Sequence, residues 1–148
     1  MYSDGASRGN PGPSAIAFMI FNEDGKILKR YSEYIGIKTN NQAEYVALIS
    51  ALESAYGLTD KEVDCYMDSE LVVKHLKGKY KVRNPKLKTL WQKVQKLKQN
   101  FHRIDFIHVN RTDVNIQDVD RLANQTLNRI FCKLNTRSFK TRNQDQFL

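Results

Sequence analysis

What this 148-residue sequence lacks narrows its possible roles at once. No apolar run approaches the roughly 18 residues of a membrane-spanning helix, and nothing at Met1 resembles a charged-then-apolar export signal. The expected setting is therefore the cytoplasm, with no membrane association and a monomeric chain. Cysteine is scarce: Cys65 and Cys132 have no metal-type spacing, and with three histidines the chain holds no nitrogen and sulfur set for zinc. In a reducing compartment both cysteines read as buried reduced thiols, joined in a disulfide only in a hyperthermophile that oxidises its cytosolic proteins. There are no internal repeats and no low-complexity tract. Acidic residues are missing altogether between Leu71 and Arg103.

That last absence is informative, because the same segment carries eleven Lys or Arg. The net charge is +8, and outside the segment 13 basic residues face 16 acidic ones. Any single lysine here reads as solvated surface. A whole net charge gathered in one segment points to a polyanionic partner, since neutralising phosphates releases counterions. Tyr80, Trp91 and Phe101 interleave the lysines, which favours nucleic acid over an anionic membrane surface.

The length suits one domain with one core. Tyr2 to Pro13 reads as a short strand ending at Asp4 and opening into a Gly, Asn and Pro turn. Ser14–Phe21 is apolar without helical period, and Ile27–Ile37 alternates loosely, giving an antiparallel meander. Thr39, Asn40 and Asn41 can cap a helix from Gln42 to about Tyr56, stopped at Gly57. Glu62–Met67 alternates as a strand, then come a short helix to Leu76, a polar loop, a helix with Leu87, Leu90, Trp91, Val94 and Leu97, and a strand over Ile104–Val109. The last helix carries Val119, Leu122, Ala123, Thr126, Leu127, Ile130 and Phe131 on one face. Residues 134–148 read as a tail, docked or disordered, after a domain spanning 1–133.

The pattern is α/β. Right-handed crossovers place the fourth and fifth strands parallel to the first, giving a five-stranded mixed sheet of order 3-2-1-4-5 with helices on both faces. The strand order changes direction between strands one and four, where open α/β sheets bind ligands. Asp4 and Asp68 belong to those two strand ends. Asp68 also reads as a helix N-cap, and Glu44 as a first-turn acid that either faces solvent or joins the sheet edge. On the last helix Asp118 and Asp120 flank the apolar face on opposite sides, and periodicity does not choose between them. Four carboxylates brought to one point stay ionised only beside cations, and an all-oxygen set suits Mg²⁺ or Mn²⁺, two ions a few ångströms apart being suited to phosphodiester hydrolysis.

With these residues in hand the chain resembles type 1 ribonuclease H, in the compact archaeal-like form without a basic protrusion. The matching segments are Ser3-Asp4-Gly5-Ala6 with Gly9-Asn10-Pro11-Gly12-Pro13, Thr39-Asn40-Asn41-Gln42-Ala43-Glu44, Asp68-Ser69 and Asp120-Arg121-Leu122-Ala123. The resemblance implies an RNase H-like fold and a metal-dependent endonuclease cutting the RNA strand of an RNA/DNA hybrid to 5′-phosphate and 3′-hydroxyl ends. It selects Asp120 over Asp118, so that Asp4, Glu44, Asp68 and Asp120 hold two ions with Asp4 bridging them. It implies that Asn10, Asn40, Asn41 and Gln42 read the minor groove and 2′-hydroxyls, and that Thr39 takes a phosphate of the DNA strand. As turn and cap residues these five also have plain structural roles.

Three features depart from the longer bacterial form. No histidine occupies the loop before the last helix; His108 should end its strand, and Arg111 fits the auxiliary role at the site. The segment from Leu76 to Lys88 is too short for an extra helix, leaving substrate grip to its own lysines. Only three residues precede Asp4, so the first strand should be unusually short, as in a chain trimmed at its N-terminus. The rival functions are a same-fold nuclease acting on other duplexes, such as double-stranded RNA, and a catalytically inactive hybrid-binding module.

Overall fold

The computed structural model describes the backbone of residues 1–145 and the side chains of residues 1–135 and Arg137. In chain order the elements are β1 (Tyr2–Ser7), β2 (Gly12–Phe21), β3 (Ile27–Lys38), α1 (Asn40–Tyr56), β4 (Glu62–Met67), α2 (Glu70–Leu76), α3 (Pro85–Lys98), β5 (Arg103–His108) and α4 (Val114–Asp145). The sheet order is β3-β2-β1-β4-β5, with the first three strands antiparallel and β4 and β5 parallel to β1. This is the topology expected from the sequence.

Both faces are covered. Ala15, Ala17 and Met19 of β2 pack against Val119, Ala123 and Leu127 of α4, while Phe18 and Ile20 face the opposite side with Tyr45, Leu48 and Leu52 of α1. Burial on both faces explains why β2 reads as a continuous apolar run rather than an alternating one. Val63, Cys65 and Met67 of β4, Val72 of α2 and Val94 of α3 complete the larger core. Among the described residues no helix is long and apolar enough to cross a membrane.

Four expectations change. β1 does not stop at Asp4: its pairing with β2 continues to Ser7↔Ser14, so Asp4 lies inside a six-residue strand and that strand is as long as β4 or β5. The last helix does not end near residue 133. It runs to Asp145, taking in most of the expected tail, because neither Gly nor Pro occurs after Pro85 to stop it; residues 146–148 lie outside the described residues. Asp68 is not the cap of α2, a role taken by Ser69, whose hydroxyl accepts from the amide of Val72 at 3.3 Å. Cys65 is buried as expected, but Cys132 is exposed on α4, and no disulfide joins them.

Candidate active site

The site forms where β1 and β4 part. These strands pair through Tyr2↔Tyr66 alone, whereas β1 stays with β2 along its whole length, so a gap opens beside Asp4 and beyond Met67, where Asp68 follows. α1 closes one side of the gap. A Cβ on Gly5 would lie 2.3 Å from the carbonyl carbon of Ala43 and 2.6 Å from the amide nitrogen of Glu44, so only glycine lets helix and strand approach this closely. That approach puts Glu44 over the strand, where its Oε1 accepts from the Gly5 amide at 3.2 Å.

Asp4 is 4% exposed and Glu44 8%, and oxygens of Asp4, Glu44 and Asp68 all lie within 4.8 Å of one another. Glu44 therefore joins the sheet edge instead of escaping to solvent. Asp120 lines the same cavity, of about 460 Å³, from α4, outside that tight group of three. Asp118 turns elsewhere and pairs with Arg121 at 2.8 Å, so the register of α4 itself separates the two aspartates.

The charge of this group is costly. Burial, followed by the neighbouring Glu44, Asp68 and Asp120, drives the Asp4 carboxyl far above the ordinary carboxylate range. Burial raises Glu44 as well, opposed by hydrogen bonds from Asp4 and Gly5 and by the Arg111 guanidinium. Asp68 is also raised by burial, and Arg111 draws it back. Burial beside other carboxylates thus favours protonation of Asp4 and Glu44 relative to free carboxyl groups. Glu44 Oε2 is buried and has no hydrogen-bond partner. An anionic, all-oxygen donor set with one orphaned carboxylate oxygen fits a hard divalent cation such as Mg²⁺ or Mn²⁺.

Arg111 reaches the cluster from the loop before α4, with Nε 3.6 Å from Asp68 Oδ2 and its side chain 88% exposed. His108 ends β5, as expected, and does not line the cavity.

Comparison with known proteins agrees with this geometry. A family model described as reverse transcriptase-like matches residues 2–126. The crystal structure of RNase H1 from the halophilic archaeon Halobacterium salinarum superposes with a TM-score of 0.82 at 39% identity, covering 86% of this chain and 96% of that one. The chain belongs to the ribonuclease H family. An RNase H1 isolated from compost by a metagenomic approach, solved in complex with an RNA/DNA hybrid, is 40% identical with a TM-score of 0.82, over 88% of this chain and 96% of that one. The ribonuclease HI of Halobacterium salinarum is 40% identical over 126 residues, and a bifunctional protein of Mycobacterium tuberculosis 39% over 126. The chain spans 62% and 34% of the length of these two, and the matches cover 85% and 84% of it.

The residues that the ribonuclease H resemblance assigns to substrate all surround the start of α1. Thr39 caps the helix, its Oγ1 accepting from the amide of Gln42 at 3.2 Å while Gln42 Oε1 accepts from the amide of Thr39 at 2.9 Å. Asn10 Oδ1 accepts from the amide of Asn40 at 3.0 Å, tying the β1–β2 turn to the helix. Their structural roles are thus real. Yet Asn40 and Asn41 line the carboxylate cavity, and Asn10, Thr39, Asn41 and Gln42 line an adjoining hollow of about 1010 Å³. Asn84 and Lys86 at the start of α3 complete that hollow and were not singled out by the sequence reading; Asn84 reads locally as the cap it is, its Oδ1 accepting from the amides of Lys86 and Leu87. Also unanticipated in the carboxylate cavity are Ser7, Ser69, Gln117 and Asn124. Of these, Asn124 was within reach of helical spacing, one turn beyond Asp120.

Proposed function

We propose that this chain is a divalent-metal-dependent endoribonuclease that hydrolyses the RNA strand of RNA/DNA hybrids, leaving 5′-phosphate and 3′-hydroxyl ends. The observation that carries the reading is the buried meeting of Asp4, Glu44 and Asp68, with the orphaned Glu44 Oε2, in a cavity edged by Asn40 and Asn41. Asp4, Glu44, Asp68 and Asp120 would hold two Mg²⁺ or Mn²⁺ ions. When bound, such ions supply an activated water and stabilise the leaving oxygen of the scissile phosphodiester.

The chain's own residues do the rest. Asn40 and Asn41 border the carboxylates on one side, and Asn41 also borders the hollow formed with Thr39, Gln42, Asn84 and Lys86. A duplex laid across the start of α1 thus meets carboxylates under one strand and a cationic, amide-rich hollow under the other. Amides beside the first strand suit 2′-hydroxyls, which only RNA offers. The hollow, with the Lys86 ammonium at its edge, suits a backbone phosphate of the DNA strand. Arg111, exposed beside Asp68, assists at the reacting phosphate, and the lysines of the α2–α3 region hold the polyanion. The working unit is residues 1–133, acting as a monomer in the cytoplasm.

A panel of labelled duplexes tests the assignment. Cleavage in Mg²⁺ confined to the RNA strand of the hybrid is expected; equal cutting of double-stranded RNA or of DNA would overturn the substrate assignment.

A further inference from the structure

Asp4 and Glu44 are held by burial, but Asp120 is exposed on the side of a helix. An exposed aspartate samples several rotamers unless a neighbour restrains it. Asn124 supplies the restraint. Its Nδ2 donates to Asp120 Oδ1 at 3.2 Å and to the Asp120 backbone carbonyl at 3.0 Å, so the amide bridges the main chain and side chain of one residue. A neutral amide is well chosen for the task. It holds one carboxylate oxygen while leaving the full negative charge and the second oxygen for a cation, whereas Lys or Arg at this position would form an ion pair that competes with the metal.

Asn124 is anchored in turn by a distant part of the chain. Arg8, in the β1–β2 turn, donates through Nη2 to the backbone carbonyl of Asn124 at 3.4 Å and to Asn128 Oδ1, and its guanidinium lies 5.0 Å from the centroid of the Phe131 ring. The turn that follows β1, which bears Asp4, is thereby fastened to the stretch of α4 that bears Asp120. We propose that Asn124 is a positioning residue of the metal centre, fixing the Asp120 carboxylate against the three buried acids, with Arg8 clamping this turn of α4.

The inference rests on the reading of Asp120 as a metal ligand, and the test separates the two. Mn²⁺ is titrated calorimetrically into the full chain as wild type, Asp120→Asn and Asn124→Ala. The binding step that Asp120→Asn removes should weaken by about tenfold in Asn124→Ala, the usual scale for loss of a partner behind a metal ligand. The remaining Mn²⁺ binding should be unchanged, as should the melting temperature in chelator, since alanine suits a helix. If that step is as tight in Asn124→Ala as in wild type, the positioning role is overturned. If Asp120→Asn removes no step at all, the ligand assignment of Asp120 falls first and takes the inference with it.

Discussion

The amide of Gly5 donates to Oε1 of Glu44 at 3.2 Å, joining the backbone of β1 to a side chain 39 residues away. The contact exists because β1 carries no side chain at this position, and it orients one carboxylate of the cluster while the other oxygen, Oε2, stays buried without a hydrogen-bond partner.

Gly5→Ala should therefore damage both stability and metal binding. The new methyl group would meet the Ala43 backbone at 2.3 Å and force α1 off the strand. Overpacking against backbone of this kind costs about 1–3 kcal/mol, a melting-temperature loss of several degrees for a chain of this size. Thermal unfolding measures the first effect and Mn²⁺ titration the second.

Asp4→Asn should stabilise the metal-free protein while abolishing its activity. Burial and Glu44 raise the folded-state pKa of Asp4, so the folded chain keeps a proton that the unfolded chain has released above the ordinary carboxylate range. Stability contributed by that proton is present at low pH and drains away as pH rises above the unfolded pKa of about 4. Asparagine removes the dependence and can donate to Glu44. In chelator the variant should exceed wild type by about 1–2 kcal/mol at alkaline pH, with the gap closing toward pH 4. Saturating Mg²⁺ should reverse the order, because the wild type alone gains from the ion. Melting curves across pH, with and without Mg²⁺, provide the check.

Arg111→Ala should slow cleavage by about tenfold, less than the roughly hundredfold or more that follows loss of a buried donor at a reacting group, because the side chain is largely exposed. Stability should move by less than about 0.5 kcal/mol for the same reason. Single-turnover rates on a hybrid, alongside unfolding curves, separate the two.

The α2–α3 region should act through salt-dependent affinity. Lys79, Lys81 and Arg83 are exposed in the loop between these helices. Replacing all three with alanine should raise KM, leave kcat near wild type and flatten the dependence of log affinity on log salt by roughly 2–3 units, close to one per lost phosphate contact. Hybrid binding in chelator at several salt concentrations gives the slope.

The order of strands and the meeting of Asp4 with Asp68 were legible because local signals and topology agree, while Glu44 and Asp120 were added to the group by the family resemblance. Alternation in Glu62–Met67, turn residues around Gly9–Pro13 and the cap near Thr39 each define an element boundary, and right-handed crossovers then leave one arrangement of strands. The place of Asp4 inside β1 was not legible, since a strand continues or stops according to its partner, and Ser7↔Ser14 pairing is a property of two segments. Nor was the depth of Glu44, which follows from the absence of a Cβ at Gly5, 39 residues earlier. Periodicity left Asp118 and Asp120 level and the family resemblance chose Asp120; the physical reason is the rotation of α4 about its axis, fixed by Val119, Ala123 and Leu127 against β2. The length of α4 was underestimated because polar composition after Phe131 suggested a tail, although no residue there breaks a helix.

The most direct test of the central claim is cleavage of an RNA/DNA hybrid labelled on the RNA strand, by wild type and Asp68→Asn, in Mg²⁺ and in chelator. Products with 5′-phosphate ends should appear only with wild type in Mg²⁺. Cleavage that persists in chelator, or in Asp68→Asn at the wild-type rate, would contradict the account.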